Sequence, residues 1–506
     1  MSKASTMLQN TLLLTLANLA MRGVTMMFQV YLTGQVGAAG LGLLQLILTV
    51  NAFAVTVGTS GLRVAAMYLS AEEYGRDRLG GVRQAMAWCI GCGILLSAAV
   101  GLVMAATARP LALYWVKDLQ AEASLRLLGL TLPLTCLSSI LAGCFTACGQ
   151  IGKLVTVEIA DRIVSVLLTV FLLRQGVSGD LSHACVCIVA GSALASAGSI
   201  VILLGMLWNI LRPHRDGSAA EQMGVRLRRL CIPVALNDYL RSGLGTLEQF
   251  LIPYGLSRSG GSRSQALADY GTIQGMVFPL MMLPSTLLFS AADVLVPELA
   301  RCKARGNRHR LHRITGRCLS VSWLYACSIA GLLYVLSPAL GILVYDSPEA
   351  SRYLRLFAPL LPVLYLDFIV DGMHKGLGQQ IYCVRVNTLT NLLDVIGLFL
   401  LLPRWGIAGY FFTYTCTHVL NFCLSLHRLL QISGVPVQLS FLLPTGGSIL
   451  CAAAVVSFFV PTVPRWRNVL ICGGLYLTLT ALLLTLTGAL DRPAEGRYNQ
   501  TIPIRR

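Results

Sequence analysis

Fourteen stretches of about 20 mostly apolar residues, each long enough to cross a bilayer, follow one another along this chain with only short polar breaks between them. A backbone in hydrocarbon must satisfy its own N–H and C=O groups. Each stretch is therefore predicted to be a transmembrane helix, and the chain an all-α polytopic membrane protein. We place the spans near 8–32, 41–69, 85–108, 125–148, 154–173, 183–211 and 230–256, then 269–295, 318–344, 355–377, 386–402, 408–429, 441–460 and 469–488. The first is too long for a signal peptide and no small-residue cleavage site follows it, so it is expected to stay in place. With 12% charged residues and a mean hydropathy of +0.70, the secreted, disordered, collagenous and soluble two-domain classes are excluded.

The 39 Lys and Arg against 22 Asp and Glu leave a net charge of +17, which in a soluble protein would raise nucleic-acid binding. Here the charges gather in short loops between spans, with no continuous basic face carrying aromatics, and no nucleic-acid partner is expected. With the amino terminus inside, the inner segments hold more than twice as many basic residues as the outer loops. Both termini are thus predicted to be cytoplasmic. Two inner segments dominate, 212–229 (Arg212, Arg215, Arg226, Arg228 and Arg229) and 301–317 (Arg301, Lys303, Arg305, Arg308, Arg310, Arg313 and Arg317), and both read as anchors on anionic membrane lipids. No outer loop is long enough to form a catalytic domain. The 16 cysteines fall almost entirely in apolar stretches as small hydrophobes, and the CxxC pair Cys89 and Cys92 has no further ligand nearby in the chain.

The chain is internally duplicated. Gly143-x5-Gly149-Gln150 at the end of the fourth span matches Gly372-x5-Gly378-Gln379 at the end of the tenth, and Gly42–Gln45 matches Gly271–Gln274, both at an offset of 229. Asn18–Arg22 resembles Asn237–Arg241 at an offset of 219. The reading is two pseudo-symmetric six-helix lobes facing the same way, 1–211 and 230–429, joined by a basic cytoplasmic linker, 212–229. Two further helices and a tail follow in 430–506. Parallel repeats about an axis along the membrane normal are the architecture of an alternating-access transporter.

This arrangement, with Gly37-x4-Gly42, the run Pro279–Pro284, Val294–Ala300 and Gly376-Leu-Gly-Gln379, resembles the polysaccharide-transporter branch of the multidrug, oligosaccharidyl-lipid and polysaccharide exporter (MOP) superfamily. Within it, the chain is most similar to the stage V sporulation protein B group, relatives of the lipid II flippases. The resemblance implies a transporter rather than an enzyme, in a bacterial cytoplasmic membrane. Its implied substrate is a polyprenyl-diphosphate-linked oligosaccharide, such as lipid II or a polysaccharide repeat unit, exported for cell-wall, surface-polysaccharide or spore synthesis. Cell-wall synthesis enzymes are its implied partners.

Ionisable residues inside spans are costly and point to function. Arg22, Arg63 and Arg241 are the sharpest, because guanidinium groups stay protonated and present a planar fork of donors to phosphate, and the resemblance implies cavity arginines on these helices. The competing reading for Arg63 is snorkelling to headgroups. Glu158 and Arg162, at i and i+4, are expected to pair. Asp367, Asp371 and Lys375 form a stripe on span ten, with a bridge expected between the last two. Asp394, with Asn387, Thr390 and Asn391 at helical spacing, offers hard oxygen donors suited to a small cation or a proton relay. By the same resemblance, Asp238, Asn391 and Asp394 would hold Na+ or H+ as coupling ion; no other cofactor and no other metal is expected. The alternatives are a cation-coupled multidrug exporter of the same superfamily, a membrane glycosyltransferase or ligase, for which His183 and His418 look too isolated, and a non-transporting scaffold.

Overall fold

Runs of Leu, Ala, Val and Ile satisfy their backbone internally in a low-dielectric medium, and over its described residues every predicted span is helical, apart from short breaks, in the computed structural model. The structure describes residues 3–76, 78–175, 181–211, 222–435, 439–459 and 465–487, and among these there is no strand. Arg212 and Arg215 of the basic linker and the tail beyond 487 lie outside the described residues. The helices are α1 (Lys3–Thr59), α2 (Leu62–Gly75), α3 (Leu79–Ala106), α4 (Glu122–Ala147), α5 (Ile151–Gln175), α6 (Leu181–Leu211), α7 (Met223–Arg258) and α8 (Arg263–Thr272). They continue as α9 (Thr286–Ala304), α10 (Arg308–Tyr345), α11 (Pro348–Phe357), α12 (Leu361–Gly376), α13 (Gln380–Trp405), α14 (Ile407–Ser433), α15 (Leu439–Ser457) and α16 (Trp466–Leu486). A kink at Gly37 divides α1 between the first two predicted spans.

Among the described residues, eight helical runs are long and apolar enough to cross a membrane, or nine counting the bent pair Arg263–Met282 and Thr286–Ala304, whose axes differ by 59°. One run, Leu19–Gly75, carries two predicted spans. Helices α5 and α7 are not in this set; both carry several charges, which are the ones to be explained.

The chain divides into two compact units. One comprises Met1–Val30, Gly255–Ser262 and Thr272–Arg506, the other Tyr31–Tyr254 and Arg263–Gly271. The core of the second unit is built by α2, α3, α4, α5 and α6 with the first turns of α7, through Leu62, Leu69, Met86, Phe145, Leu154, Leu203 and Met223. In the first unit the two helices outside the repeat, α15 and α16, pack on α10 through Val335, Ile449, Val456 and Tyr476. The Tyr476 hydroxyl donates to the Ser328 carbonyl at 3.0 Å, so the one polar atom of that ring is satisfied.

The duplication recurs in atomic detail. Helix α4 ends at Gly149 (φ 71°), where Gln150 N–H donates to the Phe145 carbonyl at 3.0 Å; α12 ends at Gly378 (φ 67°), where Gln379 N–H donates to the His374 carbonyl at 2.9 Å. Each is the six-to-one bond of a left-handed helix stop, a conformation that glycine adopts without steric cost. Six residues earlier, Gly143 admits the Arg63 carbonyl to 2.5 Å from the position a Cβ would take, and Gly372 admits the Ala292 Cβ to 2.8 Å. Arg63 and Ala292 are themselves 229 apart. Gly-x5-Gly-Gln is a close-packing position followed by a cap, built twice.

Candidate functional site

In the second unit, α2 presents Arg63 as an exposed side chain whose charge acts on the Glu158 carboxylate of α5. The i,i+4 pair expected between Glu158 and Arg162 does not form among the described ion pairs. Asp161, on the same helix, accepts instead from Ser199 Oγ of α6 at 3.0 Å. On α7, Arg241 is exposed and makes no hydrogen bond or ion pair among the described residues. Asp238, one turn before it, turns elsewhere. Ser60 Oγ donates to its Oδ2 at 2.7 Å, and the Tyr239 hydroxyl donates to the Val57 carbonyl at 3.1 Å. These two residues hold the broken turn between α1 and α2, whose Gly61 lies against the Cys231 backbone.

In the first unit, Arg22 reaches the bend between the segment ending at Met282 and α9. Its Nη1 donates to the Met282 carbonyl at 3.2 Å and its guanidinium lies 5.1 Å from the centre of the Phe289 ring. The bend causes this, because Ser285 and Thr286 turn back on Met282 and Leu283 and the helical ladder is interrupted. Arg22 remains exposed, with donors to spare beyond the one it uses.

The same unit contains a buried polar row. Thr413, Thr417, Asn421 and Ser425 stand at four-residue intervals on the buried face of α14, against α12 and α13. Thr417 Oγ1 donates to Asp394 Oδ1 at 2.7 Å, Thr390 Oγ1 to Asn421 Oδ1 at 3.3 Å, and Asn421 Nδ2 to Asp367 Oδ2 at 3.0 Å. Asp394 and Thr390 are buried and Asn391 is half-buried. Asn391 and Asp394 thus lie in the first unit with Arg22, and Asp238 in the second with Arg63 and Arg241. Thr417 and Asn421 are the partners that sequence reasoning missed, although their four-residue rhythm in an apolar span was a readable signal. His418 is held by the Tyr414 carbonyl at 2.9 Å and stacks on that ring.

A second cluster missed from sequence lies outside the spans. Arg226, in the first turn of α7, donates to Glu73 Oε1 at 3.0 Å and to Glu72, while Arg76 pairs with Glu72 at 2.9 Å. Glu73 is completely buried. The two carboxylates, Glu73 foremost, hold the Arg226 guanidinium above the usual arginine range.

Comparison with known proteins places this geometry. The family described as polysaccharide biosynthesis protein matches residues 7–303, and the MatE family matches 257–400. Sporulation protein YkvU of Bacillus subtilis (strain 168) is 21% identical over 45% of this chain and 52% of its own length; the chain spans about half the length of the curated relatives it matches. Among solved structures, the lipid II flippase MurJ in an inward closed conformation superposes with a TM-score of 0.73 at 13% identity, over 95% of this chain and 100% of that one. An inward-facing multidrug resistance MATE family transporter of the MOP superfamily gives 0.62 at 15% identity, over 83% and 94%. These likenesses establish the fold as that of MOP-superfamily transporters. Matched by its profile over more than half of its length, the chain belongs to the polysaccharide biosynthesis protein family.

Proposed function

We propose that this protein exports a polyprenyl-diphosphate-linked oligosaccharide across a bacterial cytoplasmic membrane by alternating access, supplying cell-wall or surface-polysaccharide synthesis. The carrying observation is that Arg22, Arg63 and Arg241 are exposed guanidinium groups on membrane helices, none of them in an ion pair among the described residues. A diphosphate headgroup is the partner that such groups suit, and charge-assisted bonds to phosphate are each worth about 1.5–3 kcal/mol. The lipid tail would stay between helices in the bilayer, and no covalent chemistry is required. An inside-negative potential favours outward movement of an anionic substrate by about 2.3 kcal/mol per net charge per 100 mV. In this reading Asn391 and Asp394 are a Na+ or H+ coupling position.

The MatE match over 257–400 favours one second reading, a cation-coupled multidrug exporter. Proteoliposomes discriminate the two. Outward movement of a labelled polyprenyl-diphosphate oligosaccharide by wild type, lost in Arg22→Ala and Arg241→Ala, is the expected result. Cationic-drug efflux without lipid movement would return the protein to the drug-exporter reading.

A further inference from the structure

We propose that the first turns of α7 bind one anionic phospholipid of the bilayer, of the phosphatidylglycerol type, with Arg228 and Arg229 on its phosphate and the apolar face beyond them along an acyl chain. The site stands apart from Arg22, Arg63 and Arg241 and does not rest on the identity of the exported substrate.

Helical spacing divides the work of these turns. Met223, Leu227 and Leu230 pack into the core of the second unit, and Arg226 is taken up by α2, donating to Glu73 Oε1 at 3.0 Å and to Glu72. Those contacts fix the start of the helix. Arg228 and Arg229 are both exposed, and neither makes a hydrogen bond or ion pair among the described residues. With Val225, Ile232 and Pro233 they line a groove of about 490 Å3. Two unspent guanidinium groups in an otherwise apolar groove are complementary to an amphiphile with a negative head rather than to a soluble anion.

The surroundings match a lipid at headgroup depth. Trp88 of α3 is exposed and lies against Gly224, where a Cβ would come 3.4 Å from its ring; tryptophan favours the level of the headgroups. Pro233 stands inside the helix and has no N–H to return to the Arg229 carbonyl, which leaves an acceptor for a headgroup hydroxyl beside the two cations. From the groove, Ile232, Leu236 and Leu240 continue at four-residue intervals as an exposed apolar stripe. At 1.5 Å per residue, Arg228 to Leu240 spans about 18 Å, close to one leaflet of a hydrocarbon core about 30 Å thick. The other basic segment is built differently, for its charge is partly spent inside the protein: Arg301 and Arg310 pair with Glu298, and Lys303 donates to the Leu377 carbonyl.

Native mass spectrometry of the purified full chain in detergent micelles, titrated with phosphatidylglycerol or phosphatidylcholine, tests the site without any transport. Wild type is expected to retain one phosphatidylglycerol in preference to phosphatidylcholine. Arg228→Gln with Arg229→Gln should weaken that binding by about tenfold or more at an unchanged melting temperature, whereas Arg313→Gln with Arg317→Gln, which removes the same charge from the other basic segment, should leave it intact. Equal retention of the two lipids by wild type would overturn the proposal. So would equal weakening in the two double variants, which is the signature of diffuse surface attraction, or displacement of the phosphatidylglycerol by an equimolar polyprenyl diphosphate, which would assign the groove to a different lipid. Failure of the lipid-export reading would leave these results standing, and the converse holds as well.

Discussion

Gly42 and Gly271, 229 positions apart in sequence, meet backbone to backbone where α1 crosses α8. A Cβ on Gly42 would lie 2.1 Å from the Leu267 carbonyl oxygen, and a Cβ on Gly271 would lie 2.1 Å from the Ala38 carbonyl oxygen. Each glycine therefore faces the carbonyl four residues before the other, a reciprocal contact expected where a local twofold axis relates the two copies of a repeat. Even one methyl group has no room there. Gly42→Ala should destabilise by about 1–3 kcal/mol, whereas Gly205→Ala on α6, whose Cβ would meet nothing within 4 Å, should be neutral or stabilising by up to about 1 kcal/mol. Thermal unfolding of the two variants side by side checks the contrast; equal effects would remove the close-contact argument.

The Glu73 and Arg226 pair provides a test outside the membrane spans. Arg226→Ala would leave a fully buried carboxylate short of a donor, and since Arg226 is itself partly exposed the loss should be modest, about 1–3 kcal/mol. Glu73→Gln should cost less, because it removes the buried charge along with the pair. The raised Arg226 value sets the sign with pH: its contribution is fully present below the ordinary arginine range and fades only as pH climbs through the raised value. A melting series from neutral to mildly alkaline pH should therefore show no loss traceable to this pair.

The two lone arginines should behave differently when removed. Arg241 has no described protein partner, so Arg241→Ala is expected to slow lipid export about tenfold or more while leaving the melting temperature unchanged. Arg22 also holds the Met282 carbonyl, and Arg22→Ala should lose export together with about 1 kcal/mol of stability. Export assayed beside unfolding separates the two; an Arg241→Ala protein that transports normally would count against a phosphate grip at that position.

Thr417→Val keeps the shape of the side chain but removes the hydroxyl that donates to Asp394 at 2.7 Å. It should cost about 1–3 kcal/mol and shift the Na+ or pH dependence of transport if Asp394 holds the coupling ion. Retention of the wild-type ion dependence would leave Asp394 with a structural role only.

The spans, the repeat and the arginines were all legible in the chain because each is a local property. Hydropathy over about 20 residues defines a span, Gly-x5-Gly-Gln encodes a close contact and a cap within eight residues, and a charge inside an apolar run is conspicuous wherever it falls. Pairing was not legible. Asp161 answers to Ser199 on the next helix, Asp238 to Ser60 rather than to Arg241, and Glu73 to Arg226, 153 residues away. Helical spacing places side chains on a common face but does not choose between a neighbour on the same helix and one on the helix packed against it. In a low-dielectric interior a buried polar atom takes whichever donor the packing brings closest. That choice belongs to the tertiary structure, and with it the buried polar row from Asp394 to Asp367.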